Sequence, residues 1–201
     1  MFPAGKWESV LHLKLLEERI RQEGKLFPGN IVKVDGFINQ KIDIALLKEM
    51  GKEFASLFKD AGANKILTVE ASGIAFACAT GMELGCDVVF AKKGAHKNIG
   101  NDLYSAKVFS YTKGVEYDIV VSKDHLSKDD RVLIIDDFLA VGNAAKGLVK
   151  IAEAAGAEIA GIGIVIEKGF QSGGKELRER GFHVESLAII DKIDENGITF
   201  R

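Results

Sequence analysis

In Val132-Leu133-Ile134-Ile135-Asp136-Asp137-Phe138-Leu139-Ala140-Val141-Gly142-Asn143-Ala144-Ala145, four branched aliphatic residues run into two adjacent carboxylates. A glycine-containing loop then enters an alanine-rich pattern. Consecutive aliphatics read as a strand buried on both faces, here Arg131 to Ile135, and the alanines as a helix from Gly142 to Ala155. An acidic pair at the carboxyl end of such a strand, beside the amides of a helix start, can hold a polyol and a phosphate on one ligand. The same acids would serve equally as a helix cap or Mg²⁺ ligands in any doubly wound protein. By itself the stretch leaves both readings open.

Outward from it, strands and helices alternate. Val10, Leu13, Leu16 and Ile20 give helical spacing over residues 8–23, which Gly24 ends. Lys25 to Ile42, with Pro28, Gly29, Asn30, Gly36 and Asn39, reads as a loop with one short strand. Asp43 fits an N-cap for a helix to about Ala61, with Ile44, Leu47, Phe54 and Leu57 as its apolar stripe. Strands follow at Lys65–Val69 and Asp87–Ala91, with a helix of small residues from Gly73 to Leu84 between them. A polar stretch runs from Lys92 to about Ala106. Val108–Tyr111 and Tyr117–Val121 then alternate like an antiparallel pair. After the central strand and helix come a strand at Ile159–Ile166, a helix at Gly174–Arg180 and a strand at His183–Ile190. The pattern predicts one α/β domain, its mostly parallel sheet covered by helices on both faces and interrupted by one hairpin.

Composition narrows the function classes. The 201 residues suffice for one domain with a substantial core, and a net charge of −2 provides no basic field for nucleic acid. No apolar run approaches the roughly 20 residues that span a bilayer. The start, Met1-Phe2-Pro3-Ala4-Gly5-Lys6-Trp7, lacks the pattern of a signal peptide. Cys78 and Cys86 have no metal-ligand spacing, and Cys78 reads as small apolar filler; a reducing cytoplasm is the expected setting.

Three strand ends carry chemistry-bearing loops. Ser72 and Gly73, in Glu70-Ala71-Ser72-Gly73, can present a hydroxyl and amides to an anion at a helix start, or form an ordinary capped turn. Lys92 and Lys93, at the next strand end, can counter the charge of a departing anion or simply be solvated. Asp136 and Asp137 form the third.

In this order the segments resemble the type I phosphoribosyltransferases, whose signature binds 5-phosphoribosyl-1-diphosphate (PRPP). Within the family the chain is most similar to the bacterial xanthine branch, from about residue 13 onward; residues 1–12 form an extension. The resemblance implies that Asp136 and Asp137 accept the two ribose hydroxyls and stabilise positive charge on the sugar. It implies that Ala140, Val141, Gly142, Asn143 and Ala144 wrap the 5′-phosphate with main-chain amides, and that Ser72, Gly73, Lys92 and Lys93 meet the pyrophosphate. Val141 and Asn143 replace an asparagine and a glutamine of that branch, and Val141 and Ala144 provide no hydroxyl.

The resemblance also addresses the base. Adenine enzymes have arginine where Ser72 stands and glutamate on the mobile hairpin, where this chain reads Phe109-Ser110-Tyr111-Thr112-Lys113. Hypoxanthine-guanine enzymes have aspartate in place of Ala140. A 6-oxopurine offers carbonyl acceptors, so its reader must donate; Lys168 can donate and cannot accept. Family resemblance places Lys168, Asn39, the main chain of Val32 and a stacking Phe138 around the purine, under a small N-terminal hood and a flexible hairpin. The implied reaction transfers phosphoribose from PRPP to N9 of xanthine, with Mg²⁺ carried on the PRPP and a homodimer as the assembly. Other purines, or a non-catalytic PRPP-sensing regulator, remain as alternatives; residues 1–23 are too short for a winged helix.

Overall fold

The computed structural model describes residues 14–94, 102–110, 114–195 and 197–201. The extension at 1–12, the first part of the helix expected from residue 8, and the hairpin residues 111–113 lie outside them, as do 95–101 of the polar stretch. After α1 (Lys14–Glu23), β1 (Lys25–Phe27) and β2 (Ile31–Lys33) pair antiparallel, so the expected loop holds two short strands. A π-turn at Asp35–Asn39 follows, and Asp43 caps α2 (Ile44–Phe58) by accepting a hydrogen bond from the Leu46 amide at 3.1 Å. That cap leaves Ile44 at the first helical position, facing solvent at 69% exposure. The buried stripe is therefore Leu46, Met50, Phe54 and Phe58, shifted in phase from the expected one, and the helix ends three residues early.

The remaining elements are β3 (Lys65–Val69), α3 (Ser72–Leu84), β4 (Asp87–Lys93), β5 (Leu103–Ser110), β6 (Val115–Ser122), β7 (Arg131–Leu139), α4 (Asn143–Ala155), β8 (Glu158–Lys168), α5 (Ser172–Glu179), β9 (Val184–Asp194) and β10 (Gly197–Phe200). They form one sheet in the order β10-β9-β8-β7-β3-β4-β6-β5. Five central strands are parallel; β10 at one edge and β6 and β5 at the other are antiparallel. The expected hairpin is β5–β6, with Val108 opposite Tyr117, and β10 is an edge strand that the sequence reading omitted.

Both faces are covered, as the alternation requires. Leu67, Ile134, Ile162 and Ile164 pack with Leu148, Val149 and Ala152 of α4 on one face. Ile66, Leu133 and Ile135 pack with Phe54, Phe58 and Phe76 on the other. Gly161 and Gly163 let the rings of α2 lie directly on β8, since a Cβ at either would run into Phe58 or Phe54. No helix among the described residues is long and apolar enough to cross a membrane.

Strand order places the site. From β3 the chain moves to β4 on one side, yet β7 returns on the other side of β3. The connections leaving β3 and β7 diverge onto opposite faces, opening a crevice at their carboxyl ends, the topological switch point of an open sheet. Replacing fully buried Phe54 with alanine should cost about 3–5 kcal/mol of unfolding free energy in a urea titration. A loss under about 1 kcal/mol would contradict the packing of α2 described above.

Candidate active site

Strand β7 runs past its aliphatic core to Leu139, with Asp136 opposite Ile164 and Phe138 opposite Ile166 of β8. The two acids are thus held by a strand ladder rather than by a loop, a correction to the expected end at Ile135. Asp136 is 3% exposed, and its Oδ1 accepts the Asp137 amide at 3.0 Å. Asp137 is half-buried; its Oδ1 accepts the Phe138 amide at 2.9 Å and its Oδ2 the side-chain amide of Asn39 at 2.6 Å. Burial, and then the neighbouring Asp137 charge, push the Asp136 carboxyl well above its ordinary range, with Lys93 opposing them.

Across the crevice, Ser72 and Gly73 begin α3. Gly73 sits against the Thr68 hydroxyl, and a Cβ there would lie 3.2 Å from Asp136 Oδ1, so only glycine allows the two strand ends to close up. The Glu70–Ala71 peptide is cis. Glu70 Oε1 accepts the Lys93 amide at 2.6 Å, tying this loop to β4. The lysines themselves lie within β4, not in a loop beyond it, so their side chains point to opposite faces. Lys93 acts electrostatically on Asp136. Lys92 lines a cavity of about 760 Å³ with Lys65, Asp87 and His125.

The turn from Ala140 to Ala144 wraps the start of α4, where the first amides have no intrahelical acceptor and the helix dipole favours an anion. Gly142 has φ of +79°, a left-handed conformation natural to glycine. The Gly173 amide donates to Ala140 O at 3.0 Å, and Lys146 Nζ donates to Val141 O at 2.8 Å while pairing with Glu176. Asn143 donates its side-chain amide to Phe109 O at 2.9 Å, joining the turn to β5. Gly173, Lys146 and Glu70 were not singled out in the sequence; a Gly173-Gly174 pair opening a helix was the available signal.

On the other side of the acids, Lys168 ends β8 and donates to Asn30 O at 3.0 Å, and burial lowers its pKa. Val32 is buried in β2, and Phe138 is partly buried against the α2-side core. Next to Lys168, burial tends to raise the Glu167 carboxyl, but bidentate bonds from Arg178 at 2.8 Å and the Ser186 hydroxyl outweigh it and hold it low. The structure thus gathers Asp136, Asp137, Ser72, Gly73, Lys93 and the 140–144 turn around one crevice. Asn39 joins them through Asp137, and Lys168 reaches the turn between β1 and β2 at Asn30, the segment 25–39 forming the hood over this side. Lys92 lies on the opposite face of β4 from Lys93.

A carboxyl that resists ionisation in the fold but not in the unfolded chain lowers stability as pH rises above the ordinary carboxylate range. Asp136→Asn should therefore raise the unfolding midpoint at pH 7, the gain vanishing near pH 3. An equal or lower midpoint at pH 7 would contradict the buried, disfavoured charge.

No family model matches the chain. It is 52% identical over 188 residues to the xanthine phosphoribosyltransferase of Bacillus cereus (strain AH187), covering 94% of this chain and 95% of that one. The same figures hold for the xanthine phosphoribosyltransferase of Bacillus anthracis (strain A0248). Among solved structures, the adenine phosphoribosyltransferase of Thermoanaerobacter pseudethanolicus superposes with a TM-score of 0.72 at 22% identity, over 88% of this chain and 98% of that one. That of Rhodothermus marinus gives 0.69 at 21%, over 89% and 98%. At these identities the structural likeness is one of fold.

Proposed function

The chain belongs to the xanthine phosphoribosyltransferase family, and we propose on that footing that it transfers the 5-phosphoribosyl group of PRPP to N9 of xanthine. The products are xanthosine 5′-monophosphate and pyrophosphate, a purine-salvage reaction. The observation that carries this reading is the acid pair in the switch-point crevice, flanked by two helix starts that can each receive an anion. One donor molecule has the matching order of groups: phosphate, diol and diphosphate.

The assignment of residues follows that order. The amides of Ala140 to Ala144 take the 5′-phosphate, and Gly173 and Lys146 brace the turn from behind. Asp136 and Asp137 accept the ribose hydroxyls. Ser72, Gly73 and Lys93 meet the pyrophosphate. Lys92, one position before Lys93 on β4, lies on the opposite face of that strand. Mg²⁺ enters as part of the substrate, on the diphosphate of PRPP, where it offsets leaving-group charge.

As the bond from C1 to pyrophosphate breaks, positive charge grows on the sugar, and the two carboxylates stabilise it while N9 attacks. The protein's remaining contribution is alignment of the two substrates. Lys168 donates to a purine carbonyl, Phe138 stacks on the ring, and Val32 and Asn39 close the hood end. Xanthine itself loses a proton near neutral pH, so the reaction needs no dedicated base. A cytoplasmic homodimer completes the proposal; Met82 on α3, 82% exposed, and Phe90 on β4, 39% exposed, supply apolar surface for a second copy.

Incubation with Mg²⁺, PRPP and each purine in turn should give nucleotide fastest with xanthine; equal or faster conversion of adenine would overturn the base assignment. Asp136→Asn combined with Asp137→Asn should lower turnover at least about 100-fold while the protein stays folded. Unchanged turnover would remove the carboxylates from the chemistry.

A further inference from the structure

We propose that Asn39 is a positioning residue for PRPP: its side-chain amide fixes the Asp137 carboxylate for the ribose hydroxyls, so the hood that meets the base also prepares the sugar site. The inference rests on the reaction proposed above and extends it, since the family resemblance gives Asn39 to the base alone. The bond is short, 2.6 Å from Nδ2 to Oδ2, and joins residues 98 positions apart in the chain. The Phe138 amide occupies the other oxygen at 2.9 Å. Asn39 and the Phe138 amide thus take one Asp137 oxygen each, the neighbouring Asp136 carboxyl also lies within hydrogen-bonding reach, and the carboxylate keeps lone-pair capacity for a ribose hydroxyl. Asn39 orients the acid without blocking it.

The amide is itself held in place. Asn39 closes the π-turn Asp35–Asn39, whose Phe37 and Ile38 are about 1% exposed in the α2-side core. The turn is locked by the Gln40 and Lys41 amides on Asp35 O, and by the Asp43 amide on Phe37 O. Packing and these backbone bonds fix the main chain that carries Asn39, so less conformational freedom is lost when its side chain reaches the carboxylate. A second tie, from Lys168 to Asn30 O at 3.0 Å, pins the hood to the end of β8. The hood is thus fastened to β7 at Asp137 and to the end of β8 at Lys168.

Stoichiometry allows one side chain to serve both substrates. An asparagine amide has two N–H donors and one carbonyl acceptor. One N–H is used on Asp137, leaving a donor and an acceptor for the base. Occupying either substrate site then favours the orientation that the other needs, and such coupling is reciprocal.

The test separates this role from base reading because it uses no base. Titrate Mg²⁺-loaded PRPP into the full-length wild type, Asn39→Ala and the isosteric Asn39→Asp, following heat, with an unfolding curve for each protein. Losing one hydrogen bond to a charged group should weaken PRPP binding about tenfold in Asn39→Ala. Asn39→Asp should weaken it further, since it sets two carboxylates together. Wild-type affinity for PRPP in both variants would overturn the inference while leaving the reaction standing. A wild type that binds no PRPP would overturn the reaction and this inference together.

Discussion

Everything at this site depends on keeping two carboxylates side by side near the carboxyl end of a buried parallel strand. The aliphatic run of β7 holds them there: packed on both faces and paired with β3 and β8, it cannot move its end without breaking the core. Like charges so close, one nearly inaccessible to water, carry an electrostatic cost in the empty protein. The surroundings offset part of it with the amides of Asp137 and Phe138, the Asn39 side chain and the field of Lys93. A ligand that brings hydroxyl donors and developing positive charge meets a site arranged to favour it.

The switch point turns that local constraint into a substrate-sized crevice. Because α3 and α4 leave β3 and β7 on opposite faces, their first turns flank the acid pair from two sides. Glycines make the approach possible: Gly73 lies against Thr68 and near Asp136, and Gly142 takes a backbone conformation that side chains disfavour. Anion-receiving amides and a diol-receiving acid pair then follow from topology, with few specialised side chains.

Much of this was legible in the sequence because it is local. The run Val132 to Ile135, the two acids and the glycine turn are contiguous, as are Ser72 and Gly73 before their helix. The legible part ends where long-range geometry decides. Asp136 and Asp137 were read as lying just beyond a strand, but β8 extends the ladder past them to Leu139. Two adjacent lysines look like one basic pair; inside a strand the alternation of side chains separates Lys92 from Lys93. The stripe of α2 shifted because its cap, not its first apolar residue, sets the phase. The contact between Asn39 and Asp137 spans 98 residues, and no local pattern announces it. Xanthine specificity came from the family likeness; the residues supply only a donor at Lys168 and a hood around it.

A crystal structure with PRPP and Mg²⁺ bound tests the central claim most directly. Both ribose hydroxyls should lie within hydrogen-bond distance of the Asp136 and Asp137 carboxylates, with the 5′-phosphate against the amides of Ala140 to Ala144. A sugar ring seated elsewhere, with the acid pair facing only water, would contradict the account.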